Sequence, residues 1–100
     1  MPNIFRALGY DFFFWSNEYS GNELEPFHIH VGKQKSQKSP KVWISRHGDI
    51  QWAYGEDEIP QHIRTKIEQI IRDNYMLFIE DWYNHFGEYP EFIDKVFGEN

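Results

Sequence analysis

Cysteine is absent, so neither a disulfide framework nor a thiolate metal site is open to this chain. Long apolar runs are missing as well. No stretch approaches the ~20 residues of a membrane-spanning helix, and Met1-Pro2-Asn3-Ile4 lacks the basic-then-apolar layout of a secretory leader. Repeats and low-complexity tracts are missing too. These absences predict a soluble, cytoplasmic domain without a membrane partner. Positive charge is scarce: ten basic residues face sixteen acidic ones, for a net charge of −6. A uniformly acidic surface would repel nucleic-acid phosphates.

Aromatic side chains are plentiful, at 19% of 100 residues. A chain of this length makes one domain and buries roughly two-thirds of its extended surface, so a core needs no covalent staple. The scarce cations are also unevenly placed. Between Pro26 and Gly48 there is no Asp or Glu, yet Lys33, Lys35, Lys38, Lys41 and Arg46 all fall there. From Asp49 onward, twelve acids face four bases. A cationic patch on an acidic protein invites an anionic partner, although lysine-rich loops also serve solubility alone.

The hydrophobic period divides the chain. Ile4–Leu8 and Tyr10–Ser16 read as strands separated by Gly9, and Asn17–Pro26 reads as a polar loop. Phe27–Val31, Val42–Ile44 and Ile50–Tyr54 complete about five strands of a meandering antiparallel sheet, with Arg46-His47-Gly48-Asp49 as a tight turn. From Pro60 the period becomes helical: Ile63, Ile67, Ile70, Ile71, Phe78, Trp82 and Phe86 line one stripe, and Gly87 is placed to stop it. Asn74 interrupts the stripe and predicts a kink or break there. The fold class is therefore α+β, with a sheet over 1–55, a long helix over 58–87 packed on one face, and an accessory tail over 88–100. In that tail Phe92, Ile93, Val96 and Phe97 are spaced for a short amphipathic helix.

Alternation along Phe27–Val31 predicts that, with Phe27, Ile29 and Val31 facing the helix, His28 and His30 project onto the opposite, uncovered side of the sheet. The same rule allows a second face carrying Phe13, Trp15, His28, His30, Lys41 and Trp43. Two imidazoles among aromatic rings suit three duties. They could exchange protons in attack by an RNA 2′-hydroxyl, hold a divalent metal, or serve as hydrogen-bonded structural residues. A metal needs further donors, for which His47, Glu18, Glu25 and Asp49 are candidates without motif spacing. No other cofactor is predicted. The His-x-His string also occurs in histidine-triad hydrolases and cupins, but Gly32 and Gln34 stand where those motifs carry a third His and an acid.

A fuller resemblance covers most of the chain. Met1-Pro2-Asn3-Ile4, Phe12-Phe13-Phe14-Trp15-Ser16-Asn17-Glu18, Glu25-Pro26-Phe27-His28-Ile29-His30-Val31 and Trp82-Tyr83-Asn84-His85-Phe86 resemble the signature of domain-of-unknown-function family 4160, small bacterial proteins with a Pro-His-Phe/Ile-His-Val strand. Phe27 departs from it, standing where the family usually has a second proline. The resemblance implies the toxin half of a type II toxin–antitoxin pair, with a small antitoxin-like protein as partner and RNA as a further candidate. A second copy of the chain is another candidate. Two expectations stand. One is an RNA-directed toxin using His28 and His30, with Glu18 or Glu25 orienting an imidazole and Lys33, Lys35, Lys38, Lys41 and Arg46 meeting phosphates. The other is a non-enzymatic module that docks a protein or nucleic acid through its aromatic and basic face, Trp15 and Trp43 included.

Overall fold

The computed structural model describes residues 3–15, 19–20, 23–36 and 38–93. Strands β1 (Asn3–Ala7), β2 (Tyr10–Phe13), β5 (His28–Gly32), β6 (Lys41–Ile44) and β7 (Ile50–Tyr54) form an antiparallel sheet in the order β1-β2-β5-β6-β7. Where a polar loop was expected between β2 and β5, β3 (Tyr19–Ser20) and β4 (Glu23–Leu24) pair as a separate two-stranded sheet. Two-residue strands carry too little alternation to be read from sequence.

Turn chemistry sets the strand ends. Leu8 and Gly9 join β1 to β2 with φ of 58° and 81°, the pair of positive values that a two-residue hairpin turn of right-handed twist demands. Between β6 and β7, the Ser45 hydroxyl accepts from the backbone N–H groups of His47 and Asp49, and Gly48 takes φ 85°. After β7, a 3₁₀ turn over Glu56–Glu58 leads into α1 (Gln61–Asp73) and α2 (Tyr75–Phe86). The helical half is thus two helices rather than one long one. The side-chain amide of Asn74 donates to the Ile70 carbonyl at 2.8 Å, competing with regular helix at the boundary. Gly87 closes α2 in the left-handed conformation with its N–H on the Tyr83 carbonyl.

The core lies between the sheet and the two helices. Phe12, Phe14, Phe27, Ile29, Val31, Val42 and Ile44 meet Ile67, Ile71, Phe78 and Trp82, all essentially inaccessible. Ile63, Ile70 and Phe86 are half-buried at the edge of the same stripe. Residues 88–93 form no helix. Instead the Phe27 N–H bonds to the Glu91 carbonyl at 2.7 Å and Phe92 packs edge-on against Phe27. Val96 and Phe97 lie outside the described residues.

Two stability predictions follow from this packing. Trp82 is enclosed by the rings of Phe14, Phe27, His28 and Phe86, so Trp82→Ala is expected to cost about 3–5 kcal/mol in urea denaturation. A midpoint within experimental error of the parent would place that helix face wrongly. Leu8 pays for its left-handed conformation with no compensating burial, being 44% exposed. Leu8→Asn should stabilise the fold by about 1 kcal/mol, read as a rise in Tm of roughly 4–8 °C.

Candidate functional site

The pairing register assembles the expected second face almost residue for residue. Phe13 on β2 stands opposite His30, His30 opposite Lys41 on β6, and His28 opposite Trp43. The two imidazole rings lie 5.5 Å apart, nearly perpendicular, on the same side of β5. Phe13 stacks on His30 at 5.5 Å, and Trp43 meets His28 edge-on at 5.4 Å.

That face is not open. His28 is 0% and His30 2% exposed, and Phe13 is also fully buried. His28 even touches Trp82 of α2, at 5.6 Å between ring centroids, so a helical side chain that packs on Phe27 also meets the first histidine of β5. The expectation that the pair looks onto an uncovered surface is therefore corrected. Alternation fixes the side of a strand on which a residue points, not the depth of what covers it.

Each ring is anchored in the same way. Nδ1 of His28 lies 2.7 Å from the Pro26 carbonyl, and Nδ1 of His30 lies 3.1 Å from the Ser39 carbonyl. A carbonyl oxygen only accepts, so both hydrogens sit on Nδ1, and in the neutral ring Nε2 is the basic atom. This arrangement serves a metal-binding or proton-accepting imidazole, and equally a structural one. Among the described residues no group of three or more His, Asp or Glu side chains gathers to hold a metal ion. Glu25 is engaged elsewhere, with Oε1 2.5 Å from Lys41 Nζ. Glu18 lies outside the described residues. His47 and Asp49 sit in the exposed turn after β6.

The basic residues expected to act together are divided by the fold. Lys41 is 9% exposed, held by Glu25, with Nζ 4.4 Å from the Trp43 ring centroid. Arg46 sits beyond the other end of β6, over Phe92 at 5.9 Å, and its carbonyl accepts from the Tyr75 hydroxyl at 2.8 Å. Burial pushes the Tyr75 phenol above its ordinary pKa, with the Arg46 charge opposing. Trp15 and Trp43 are half-buried. Only Lys33, Lys35 and Lys38 share one exposed loop, which joins β5 to β6. Beside it opens a cleft of about 390 Å³ lined by Lys33, Lys38 and loop serines, with Tyr10, Val31 and Ile59 as its apolar side. Sequence reasoning found the lysines but missed Tyr10, Glu58 and Ile59, because they join the cleft from distant segments.

Loop geometry explains the cleft's shape. Gly32 is required where β5 ends, since a Cβ there would meet Ser39 Oγ at 2.8 Å and the Gln34 carbonyl at 3.0 Å. That close approach lets the Ser39 hydroxyl donate to the Gln34 carbonyl at 3.0 Å across the loop. The Ser39 N–H bonds to the Ser36 carbonyl, and the Lys38 N–H to the Ser36 hydroxyl.

Fold and site together define an α+β protein with a buried histidine pair and a lysine loop at one end of its sheet. The chain belongs to the DUF4160 family, a domain of unknown function, whose model matches residues 9–83. No curated protein and no solved structure matches the chain. No helix among the described residues is long and apolar enough to cross a membrane.

The Glu25–Lys41 pair is testable as a structural element of this site. Glu25→Gln leaves a largely buried ammonium without its carboxylate. It is expected to cost about 2 kcal/mol, below the ~3–5 of a fully buried pair because Glu25 keeps a quarter of its side-chain exposure. Adding Lys41→Met should recover most of that loss in a urea double-mutant cycle. Equal losses in the single and double variants would mean that the charges contribute nothing beyond packing.

Proposed function

We propose that this domain is a non-enzymatic binding module whose ligand bears phosphate and seats on the loop between β5 and β6. The observation that carries the reading is the contrast in accessibility between the two candidate sites. Catalysis on RNA at His28 and His30 requires a substrate to reach their Nε2 atoms, and both rings are sealed to within 2%. Lys33, Lys35 and Lys38 are exposed, on a loop already cross-linked by its own hydrogen bonds. Among the described residues no carboxylate lies within ion-pair distance of Lys33 or Lys38, whereas Arg6, Lys41 and Arg64 each hold one. Cations not satisfied by the protein itself are those able to neutralise a ligand. The histidines then act as the buried polar frame of the sheet.

In this reading, the toxin role implied by the family resemblance proceeds by occupation of a target, with a small antitoxin-like protein competing for or covering the loop. The enzymatic toxin is the rival. The two separate in one experiment: titration of pyrophosphate into the purified chain and into two variants shown to be folded by circular dichroism. Lys33→Gln/Lys38→Gln should weaken binding at least tenfold, and the parent's affinity should fall steeply with added salt. His28→Gln/His30→Gln should bind as the parent does. In cells where expression of the parent arrests growth, the lysine variant should lose the arrest and the folded histidine variant keep it. The reverse pattern would overturn the binding reading and restore the catalytic one.

A further inference from the structure

The two helices present different outer faces. Along α1 the exposed residues include Gln61, His62, Thr65, Lys66, Gln69 and Arg72, a solvated surface on which Gln69 donates to Asp73. Along α2 they include Met76, Leu77 and Tyr83, which are 63%, 43% and 42% exposed. Met76, Glu80 and Tyr83 fall at i, i+4 and i+7, and Leu77 precedes Glu80 by three, so the four share one side of the helix. Just past its end Tyr89, 67% exposed, continues the surface, with its ring centroid 4.5 Å from that of Tyr83. Apolar and aromatic side chains gathered on one exposed side mark an interaction surface. Its rim is acidic. Between Asp73 and Ile93 the chain has no Lys or Arg, yet Glu80, Asp81, Glu88 and Glu91 all fall there. Among the described residues no Lys or Arg nitrogen lies within ion-pair distance of Glu80, Asp81 or Glu88. Burial, reinforced by the adjacent Glu80 charge, pushes the Asp81 carboxyl above its ordinary pKa.

We infer that the outer face of α2 docks a cationic amphipathic helix of a partner protein, its apolar stripe on Met76, Leu77, Tyr83 and Tyr89 and its Lys or Arg side chains on Glu80 and the flanking acids. The inference stands apart from the phosphate-binding reading, since it uses no residue of the lysine loop. Three features select this occupant. Met76 and Tyr83 are seven residues apart, about 10.5 Å along the axis, and a helix lying alongside repeats its own apolar residues at the same interval. The carboxylates that the chain leaves without a counter-charge become attractive once a partner brings cations to them. A second copy of the chain does the opposite. A two-fold axis through this face, with the helices running in either relative direction, sets Glu80 beside the same residue of the other copy, where like charges repel.

The test uses the full chain and fluorescence anisotropy with three labelled synthetic peptides of equal length. One carries a leucine stripe at helical spacing flanked by lysines, the second the same stripe flanked by glutamates, and the third is the first with its sequence scrambled. The cationic amphipathic peptide is expected to bind at least tenfold more tightly than either control and to weaken with added salt. Glu80→Lys supplies a crossed signature, because reversing an exposed charge should weaken the cationic peptide at least tenfold and strengthen the anionic one. Met76→Ser/Tyr83→Ser should weaken the cationic peptide several-fold at every salt concentration. Lys33→Gln/Lys38→Gln should bind it as the parent does, so this inference and the phosphate reading fail separately. Circular dichroism of each variant confirms the fold. Equal binding of the scrambled peptide, or binding unchanged by Glu80→Lys and by Met76→Ser/Tyr83→Ser, would overturn the inference. Self-association in sedimentation velocity that Met76→Ser/Tyr83→Ser abolishes would give the face to a second copy and overturn it. So would tighter peptide binding by Val96→Ser/Phe97→Ser, which would give the face to the chain's own residues 94–100.

Discussion

Strand β5 is buried on both faces, and most of the structure's polar arrangement answers to that fact. Ile29 and Val31 enter the core under the helices, which costs nothing beyond ordering. On the other side the same strand carries two imidazoles, and a buried polar group without a partner costs about 1–3 kcal/mol. The backbone supplies the partners: Pro26 at the strand's start and Ser39 across the loop at its far end. The neighbouring Lys41 is a harder case, because a buried charge needs a counter-charge, and Glu25 provides it. On this face, then, Nδ1 of each histidine is committed to the backbone, and Lys41 and Glu25 are committed to each other. Chemistry directed outward has to be found where the strand ends.

The sequence is informative about periodicity and poor about cover. Phe13, His28, His30, Lys41 and Trp43 share a face because period two is a property of the strand itself, and the register agrees. The helical stripe from Ile67 to Trp82 is legible for the same reason, as is Gly87, whose left-handed conformation only glycine adopts without strain. What lies over a face depends on long-range packing, which one strand's pattern does not encode. Trp82 shows why. A single residue read as helix-facing reaches round the start of β5 and packs on both Phe27 and His28. The lysines were legible as a cluster in sequence but not as separate groups in space. Strand β6 lies between Lys41 and Arg46 and puts about four residues of extended chain between them, so sequence proximity becomes opposite ends of the sheet.

The buried pair and the exposed loop are mechanically one unit. Ser39 gives its carbonyl to His30, its hydroxyl to the Gln34 carbonyl and its N–H to the Ser36 carbonyl. It thereby ties the sealed face to the loop that carries Lys33 and Lys38. Gly32 makes the junction tight enough for these bonds, and the Val31 N–H on the Pro40 carbonyl closes it. A loop held at this many points loses little entropy when a ligand arrives, which is the condition under which two flexible lysines contribute usefully to affinity. The His-x-His signature then has a role that requires neither metal nor proton transfer. His30 bonds to the base of the loop and His28 to the start of the strand that delivers it, while the atoms that meet the ligand in the binding reading lie elsewhere.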